Sequence, residues 1–166
     1  MAALLLAANV LGACVPGAGS AGLERQAGEA FPRTVGPPLT IHPVKGQTVI
    51  LQPGEAKPGP RVTCTLVISE AERPDQHLVT IGENDTEALT CGRLKAARAV
   101  PAPPPMQRIA LLYEAYGPHT TVLQPVILYR TARGAPWRAD EALAQTIGED
   151  GALSSIPAIR RWLQSR

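Results

Sequence analysis

The sequence predicts an α+β protein: a mainly antiparallel β-sheet or sandwich with one or two C-terminal helices packed on it. Three observations support this class. Residues 61–69 alternate with a period of two, as a strand with one buried face does. Residues 108–130 contain two apolar runs around a turn signal, which is typical of a hairpin. Near residue 140 the apolar spacing changes to that of a helix.

The composition is that of a globular protein without a nucleic-acid partner. The chain has 166 residues, of which 45% are hydrophobic, enough for one domain with a core. Its 17 Pro and 15 Gly favour short elements and many turns. A net charge of +2 without a clustered basic face, and only six aromatic residues (one Phe, two Trp and three Tyr), argue against nucleic-acid binding. No glycine-rich phosphate-binding loop is present, and no cofactor is predicted.

The first 14 residues predict export. Residues 2–11 are apolar apart from Asn9, and the run is shorter than the roughly 20 residues that span a bilayer. Such a run suits the central region of a secretory signal peptide. The alternatives are a signal cleaved after a small residue such as Ala13, without lipidation, or a buried helix.

The motif that follows this run is Leu11-Gly12-Ala13-Cys14. It resembles the lipobox of bacterial lipoproteins: an aliphatic residue, two small residues, and the Cys that receives the lipid. It differs from that family in lacking Lys or Arg before the apolar run. The resemblance implies that residues 1–14 are an export signal and that Cys14 is lipidated. The protein would then be held in the periplasm or at the outer membrane by a lipid anchor.

Residues 15–38 are rich in Gly, Ala and Pro and predict a flexible tether, which leaves residues 39–166 as a single globular β-rich domain with C-terminal helices. In that domain we expect an edge strand at 39–43, stopped by Pro43. A strand at 48–52 should end at Pro53 and Gly54, and one at 88–91 should end at Gly92. Further strands are predicted at 61–69 and 77–81.

The hairpin at 108–130 is predicted to hold the core. Ile109, Leu111 and Tyr113 share one face, and the opposite face is apolar as well, so the first strand should be central and buried on both sides. Pro125 cannot donate a hydrogen bond to a ladder, and it therefore marks an edge or a bulge in the second strand.

Two helices are predicted after the hairpin. Ala139 or Asp140 caps the first, which should run to about residue 147 and end at Gly148. Ser154 or Ser155 caps the second, which should run to residue 163 with Pro157 in its first turn.

If Cys14 carries a lipid, two cysteines remain. Cys64 and Cys91 both lie on predicted strands, and export would place them in an oxidising compartment, so we predict a disulfide between them. The alternative is a pair of buried free thiols. No Cys-x-x-Cys pair is present, and no metal site is predicted.

The sequence contains no catalytic motif, and we favour a non-enzymatic binding module of the cell envelope. An inhibitor, an immunity-type protein or an accessory assembly protein would fit, with another protein or an envelope polymer as partner. Loops on a rigid sheet commonly carry binding residues. The predicted partner-binding residues form an acidic loop followed by two cations: Glu83, Asp85, Glu87, Arg93 and Lys95.

The alternative function is a small periplasmic hydrolase whose site is assembled from residues distant in sequence. Its candidate residues are His77, Asp75 and Glu114. A concave pocket that joins two of these titratable groups would favour the enzyme.

Overall fold

The computed structural model of the protein describes residues 33–57, 62–82, 89–151 and 155–166. These residues form nine strands followed by two helices. The strands are β1 (Arg33–Thr34), β2 (Leu39–Ile41), β3 (Val49–Ala56), β4 (Thr63–Glu70), β5 (Gln76–Ile81), β6 (Thr90–Val100), β7 (Gln107–Tyr116), β8 (Thr121–Arg130) and β9 (Arg138–Ala139). The helices are α1 (Glu141–Glu149) and α2 (Ile156–Gln164).

The strands form two sheets in which every pairing is antiparallel. In the first sheet the order is β1-β3-β4-β5, and β2 also pairs with β3. In the second sheet the order is β6-β7-β8-β9. The protein is therefore mostly antiparallel β-sheet with two short helices, as the sequence predicts.

The inner faces of the two sheets share one hydrophobic core. The first sheet contributes Leu51 and Leu66, and the second contributes Ile109, Leu111 and Tyr113. The predicted core residues of β7 are confirmed, because Ile109, Leu111 and Tyr113 are at most 1% exposed. Burying aliphatic side chains of this kind is the main stabilising term of the fold.

The helices cover part of the other face of the second sheet. Ile147 of α1 and Ile159 of α2 pack with Ala110 and Leu112 of β7 and with Ile127 of β8. Strand β7 is therefore buried on both faces, as predicted from its two apolar faces. The layers follow in the order first sheet, second sheet, helices.

Both helices begin at a predicted cap. The side chain of Asp140 accepts a hydrogen bond from the backbone N–H of Leu143, and that of Ser155 accepts one from Ala158. These bonds satisfy amide donors that have no partner within the helix. The predicted end at Gly148 is wrong by one residue, since α1 continues to Glu149.

Two glycines that predict strand ends instead lie inside strands. Strand β3 continues through Gly54, where a Cβ atom would lie 2.7 Å from Thr65 Oγ1. Strand β6 continues through Gly92, where a Cβ atom would lie 2.0 Å from the carbonyl oxygen of Glu114. At both positions glycine permits the close approach of a neighbouring strand. Gly92 lies at a register shift, between Cys91 and Arg93.

The predicted tether overlaps the first sheet at its end. Arg33 and Thr34 pair with Glu55 and Gly54 of β3. Residues 1–32, including Cys14 and the lipobox-like motif, lie outside the described residues. Within the described ranges, neither helix has the length and apolar character needed to cross a membrane.

Candidate functional site

Within the described residues, both sheets have an edge without a strand partner on the same side of the molecule. Strand β5 is the last strand of the first sheet. Strand β8 pairs with β9 only at Leu128 and Tyr129. Among the described strands, none pairs with the outer edge of β5 or with the first part of β8. Unpaired edges present backbone donors and acceptors to any chain that lies beside them.

A cavity of about 440 Å³ lies between these edges, and α1 forms its third wall. Residues 79–82 line it from the first sheet, and residues 124–127 line it from β8. We refer to this cavity as the β5–α1 groove. The helix contributes Asp140, Glu141, Ala144, Gln145, Gly148 and Glu149.

The helical wall of the groove is one continuous face of α1. Its lining residues come in adjacent pairs that recur every four positions, from Asp140 at the N-cap to Glu149 at the last helical residue. Residues with that spacing share a face in a helix of 3.6 residues per turn. Between the carboxylates at its two ends, this face carries Ala144, Gln145 and Gly148, and the small residues Ala144 and Gly148 leave room beside the helix.

The charged side chains that line the groove are all carboxylates: Asp140, Glu141 and Glu149. In the described part of the chain, none of these three forms an ion pair. The hydrogen bonds of the Asp140 and Glu149 side chains are made within α1, where Glu149 accepts a hydrogen bond of 2.8 Å from Gln145. By contrast, the neighbouring Asp150 lies outside the groove and pairs with Arg166. The groove is therefore negatively charged.

Glu149 is placed unfavourably for the helix that carries it. The last turn of α1 contains no basic residue, although the negative end of the helix dipole favours a cation there. A carboxylate at that position costs roughly 0.3–1 kcal/mol when exposed. A cation that bound beside Glu149 would remove this penalty.

The walls of the groove are fixed from the core. Thr80 is the extra residue of a β-bulge, since Cys64 pairs with Ile81 and Thr65 pairs with Val79. The Thr80 hydroxyl lies 3.1 Å from the Tyr113 hydroxyl oxygen, to which it donates. Burial raises the pKa of Tyr113 to about 12, so the phenol stays neutral. The backbone N–H of Asp140 also donates to the carbonyl of Ile127, which fixes the start of α1 on β8.

The predicted disulfide is present. Cys64 of β4 is bonded to Cys91 of β6, with their Cα atoms 4.9 Å apart. Both residues are buried, and the bond links the two sheets. Buried disulfides are typical of proteins that fold in an oxidising, exported compartment.

A second link between the sheets was not predicted from the sequence. Arg130 of β8 donates to both carboxylate oxygens of Glu70 in β4, at 2.8 and 3.0 Å. The indole N–H of Trp137 donates to Glu70, and its ring lies 4.4 Å from the Arg130 guanidinium carbon. Arg130 also donates to Gln107, and Gln47 donates to Glu70. We refer to these five residues as the Arg130–Glu70 network.

The network keeps Glu70 ionised. Burial alone would raise its pKa, but hydrogen bonds from Trp137 and Arg130 and the charge of Arg130 hold the pKa of Glu70 below its ordinary value. The Arg130 side chain is fully buried, so its charge depends on Glu70 for compensation.

The predicted partner-binding residues fall in two places. Glu83, Asp85 and Glu87 lie outside the described residues, although they follow Gly82 at the end of the β5 wall directly in the sequence. Arg93 and Lys95 lie on β6, away from the groove, and both pair with Glu114 of β7, at 2.8 and 3.3 Å. Hydrogen bonds from Arg93 and Lys95 lower the pKa of Glu114.

The three residues of the alternative hydrolase are not brought together. Glu114 faces the outer side of the second sheet, because it alternates with the inward residues Tyr113 and Ala115. His77 is exposed on β5 of the first sheet and does not line the groove. Asp75 lines a smaller cavity of about 270 Å³ beside Glu70. Within the described ranges, no group of three or more His, Cys, Asp or Glu side chains is placed to hold a metal ion.

Sequence reasoning missed the groove and the network for different reasons. The helical face from Asp140 to Glu149 is visible in the sequence as paired positions with carboxylates at both ends and small residues between them. The pairing of Glu70 with Arg130 spans 60 positions, and no local pattern indicates it.

Comparison with known proteins gives no relatives: no family model matches the chain, and neither the curated proteins nor the solved structures contain a match.

Proposed function

We propose that this protein is an exported binding module of the cell envelope that holds an extended polypeptide segment of a partner in the β5–α1 groove. The observation that carries the proposal is the position of the groove between two open sheet edges and one face of a helix. An extended chain there finds backbone partners along the edges and side-chain contacts along the helix.

The dimensions of the groove suit a short extended segment. Helix α1 has nine residues, which corresponds to a length of roughly 13 Å. An extended chain advances by about 3.3 Å per residue, so about four residues run along the helical wall. The groove also contains an exposed apolar side chain, Val79, which is 36% accessible and available to an apolar residue of the ligand.

Both open edges carry features that limit pairing with arbitrary strands. The bulge at Thr80 interrupts the regular ladder of β5. Pro125 removes a backbone donor from β8. Natural sheets use such features against indiscriminate edge association. They support a ligand selected by the shape and charge of the groove over a second copy of this chain.

Export and anchoring belong to the same proposal. The buried disulfide supports an oxidising compartment, and the Leu11-Gly12-Ala13-Cys14 motif supports a lipid on Cys14. We expect the mature protein from its native host to begin at Cys14 and to carry the mass of a lipid there. Intact mass spectrometry checks this, and a mature chain that retains Met1 and the following residues would contradict it.

Peptide selection on the immobilised protein tests the binding function. A random displayed library is selected on the wild type, and the enriched peptides are then measured against two variants of α1. Gln145→Trp places a bulky ring inside the groove. Ala142→Trp is the matched control, since residue 142 is exposed on α1 but does not line the groove.

We expect the enriched peptides to bind the wild type and the Ala142→Trp variant and to lose binding to the Gln145→Trp variant. Equal urea unfolding midpoints of the two variants establish that both are folded. Selection that enriches no peptide, or peptides that bind the Gln145→Trp variant as well as the wild type, would contradict the proposal.

A further inference from the structure

We infer that the segment held by the β5–α1 groove carries two cationic side chains four residues apart, with uncharged residues between them. This inference rests on the proposed function, because it names the chemistry of the ligand for the same site. It follows from where the carboxylates stand on the helical wall.

The carboxylates occupy the two ends of that wall. Asp140 and Glu141 stand at the start of α1 and Glu149 at its end. Glu141 and Glu149 are eight positions apart, which is about 12 Å along a helix. In an extended chain, residues i and i+4 lie about 13 Å apart and point to the same side. Residues i and i+2 lie only about 7 Å apart, and residue i+3 points to the opposite side.

The middle of the wall does not attract charge. Ala144 and Gly148 have no polar side chain, and Gln145 is engaged by Glu149. A side chain at position i+2 of the ligand therefore meets a part of the wall that carries no charge. Cations at the ends and an uncharged residue in the middle match this distribution.

The carboxylates are also available for a ligand. In the described residues, Asp140, Glu141 and Glu149 have no cationic partner, whereas the adjacent Asp150 is compensated by Arg166. Glu149 stands at the negative end of the α1 dipole without a basic residue in that turn. A Lys or Arg of the ligand at this end would balance both the side-chain charge and the dipole.

Three synthetic peptides test the spacing. All three have the same host sequence of alternating Thr and Val. The first carries Lys at positions i and i+4, the second carries Lys at positions i and i+3, and the third carries Gln at positions i and i+4. Affinities are measured by fluorescence anisotropy with the full protein. An exposed ion pair contributes at most about 1 kcal/mol, which is roughly fivefold in affinity. We therefore expect the i, i+4 peptide to bind about fivefold tighter than the i, i+3 peptide.

Two charge-neutralising variants assign the effect to the groove. Glu149→Gln should reduce the advantage of the i, i+4 peptide over the i, i+3 peptide to less than twofold. Glu55→Gln removes the same charge on β3, away from the groove, and should leave the advantage unchanged. The Gln peptide should bind weakest to the wild type, since it forms neither ion pair.

The outcomes separate the two proposals. If all three peptides bind equally and Gln145→Trp abolishes their binding, the groove holds extended segments but the cation spacing is wrong. If the i, i+4 peptide still binds the Glu149→Gln variant about fivefold tighter than the i, i+3 peptide, the carboxylates of α1 do not select the ligand. The inference is then also overturned. If none of the peptides binds at concentrations up to about 1 mM, which would detect even weak binding, both the inference and the proposed function are contradicted.

Discussion

The two ends of β4 join the two sheets by different chemistry. At the start of the strand, Cys64 is bonded to Cys91 of β6. At its end, Glu70 pairs with Arg130 of β8 inside the Arg130–Glu70 network. The disulfide restricts the unfolded chain and is independent of charge, whereas the ion pair is a native contact that requires both groups to be ionised.

The two links allow the groove to be open without the sheets separating. Ile81, in the β5 wall of the groove, pairs with Cys64, so the open edge lies beside the disulfide. At the opposite end of β4, the Arg130–Glu70 network, which includes Trp137, holds the two sheets together. The two sheets are thus linked at both ends of β4, while β5 and the first part of β8 have no strand partner on their outer edges among the described residues.

Breaking the ion pair between Arg130 and Glu70 should lower the free energy of unfolding more than any other change proposed here. Arg130→Met leaves the half-buried carboxylate of Glu70 without its fully buried cation, and removing one partner of a buried pair typically costs about 3–5 kcal/mol. The change is measured as the free energy of unfolding in urea. Arg160→Met, at an exposed position of α2, should change the same quantity by less than about 0.5 kcal/mol. A loss below about 1 kcal/mol for Arg130→Met would show that the network does not hold the sheets together.

Breaking the disulfide should lower the free energy of unfolding by a slightly smaller amount. The bond closes a loop with a sequence separation of 27. Replacing both cysteines by Ser should cost about 3–4 kcal/mol in the chain-entropy description. Urea unfolding of the variant, compared with the oxidised wild type, checks the value. Equal stability of the oxidised and reduced wild type would contradict a stabilising role for the bond.

Lowering the pH should weaken the ion pair but not the disulfide, and the expected loss of stability is smaller than for either substitution. The native structure holds the pKa of Glu70 below its ordinary value of 4.5, so on acidification the unfolded state binds a proton first. The contribution of Glu70 is complete above the unfolded pKa and is lost as pH falls through the native value. We expect the stability of the wild type to fall in that window, and the fall to be shallower for Glu70→Gln. Identical pH profiles would show that Glu70 does not carry this dependence.

The sequence predicts those parts of the protein that depend on neighbours along the chain. The β7–β8 hairpin, the Asp140 and Ser155 caps and the two faces of β7 follow from local spacing, and the structure confirms them. The disulfide follows from two cysteines on predicted strands once the compartment is inferred.

The parts that were missed depend on partners far away in the chain. Gly54 and Gly92 resemble turn signals, and only the approach of Thr65 or Glu114 explains why each lies within a strand. The Arg130–Glu70 pair joins different sheets. The groove depends on which strand edges lack a partner, and this depends on the order of the strands in each sheet. The residue spacing within a single segment does not predict that order.

The most direct test of the proposed function is amide hydrogen exchange with and without the i, i+4 dilysine peptide. A ligand held in the β5–α1 groove should slow exchange at residues 79–82 and along the exposed face of α1, and leave the outer face around Arg93 and Lys95 unchanged. Protection confined to β6, or no protection at peptide concentrations that saturate binding, would contradict the assignment of the groove as the binding site.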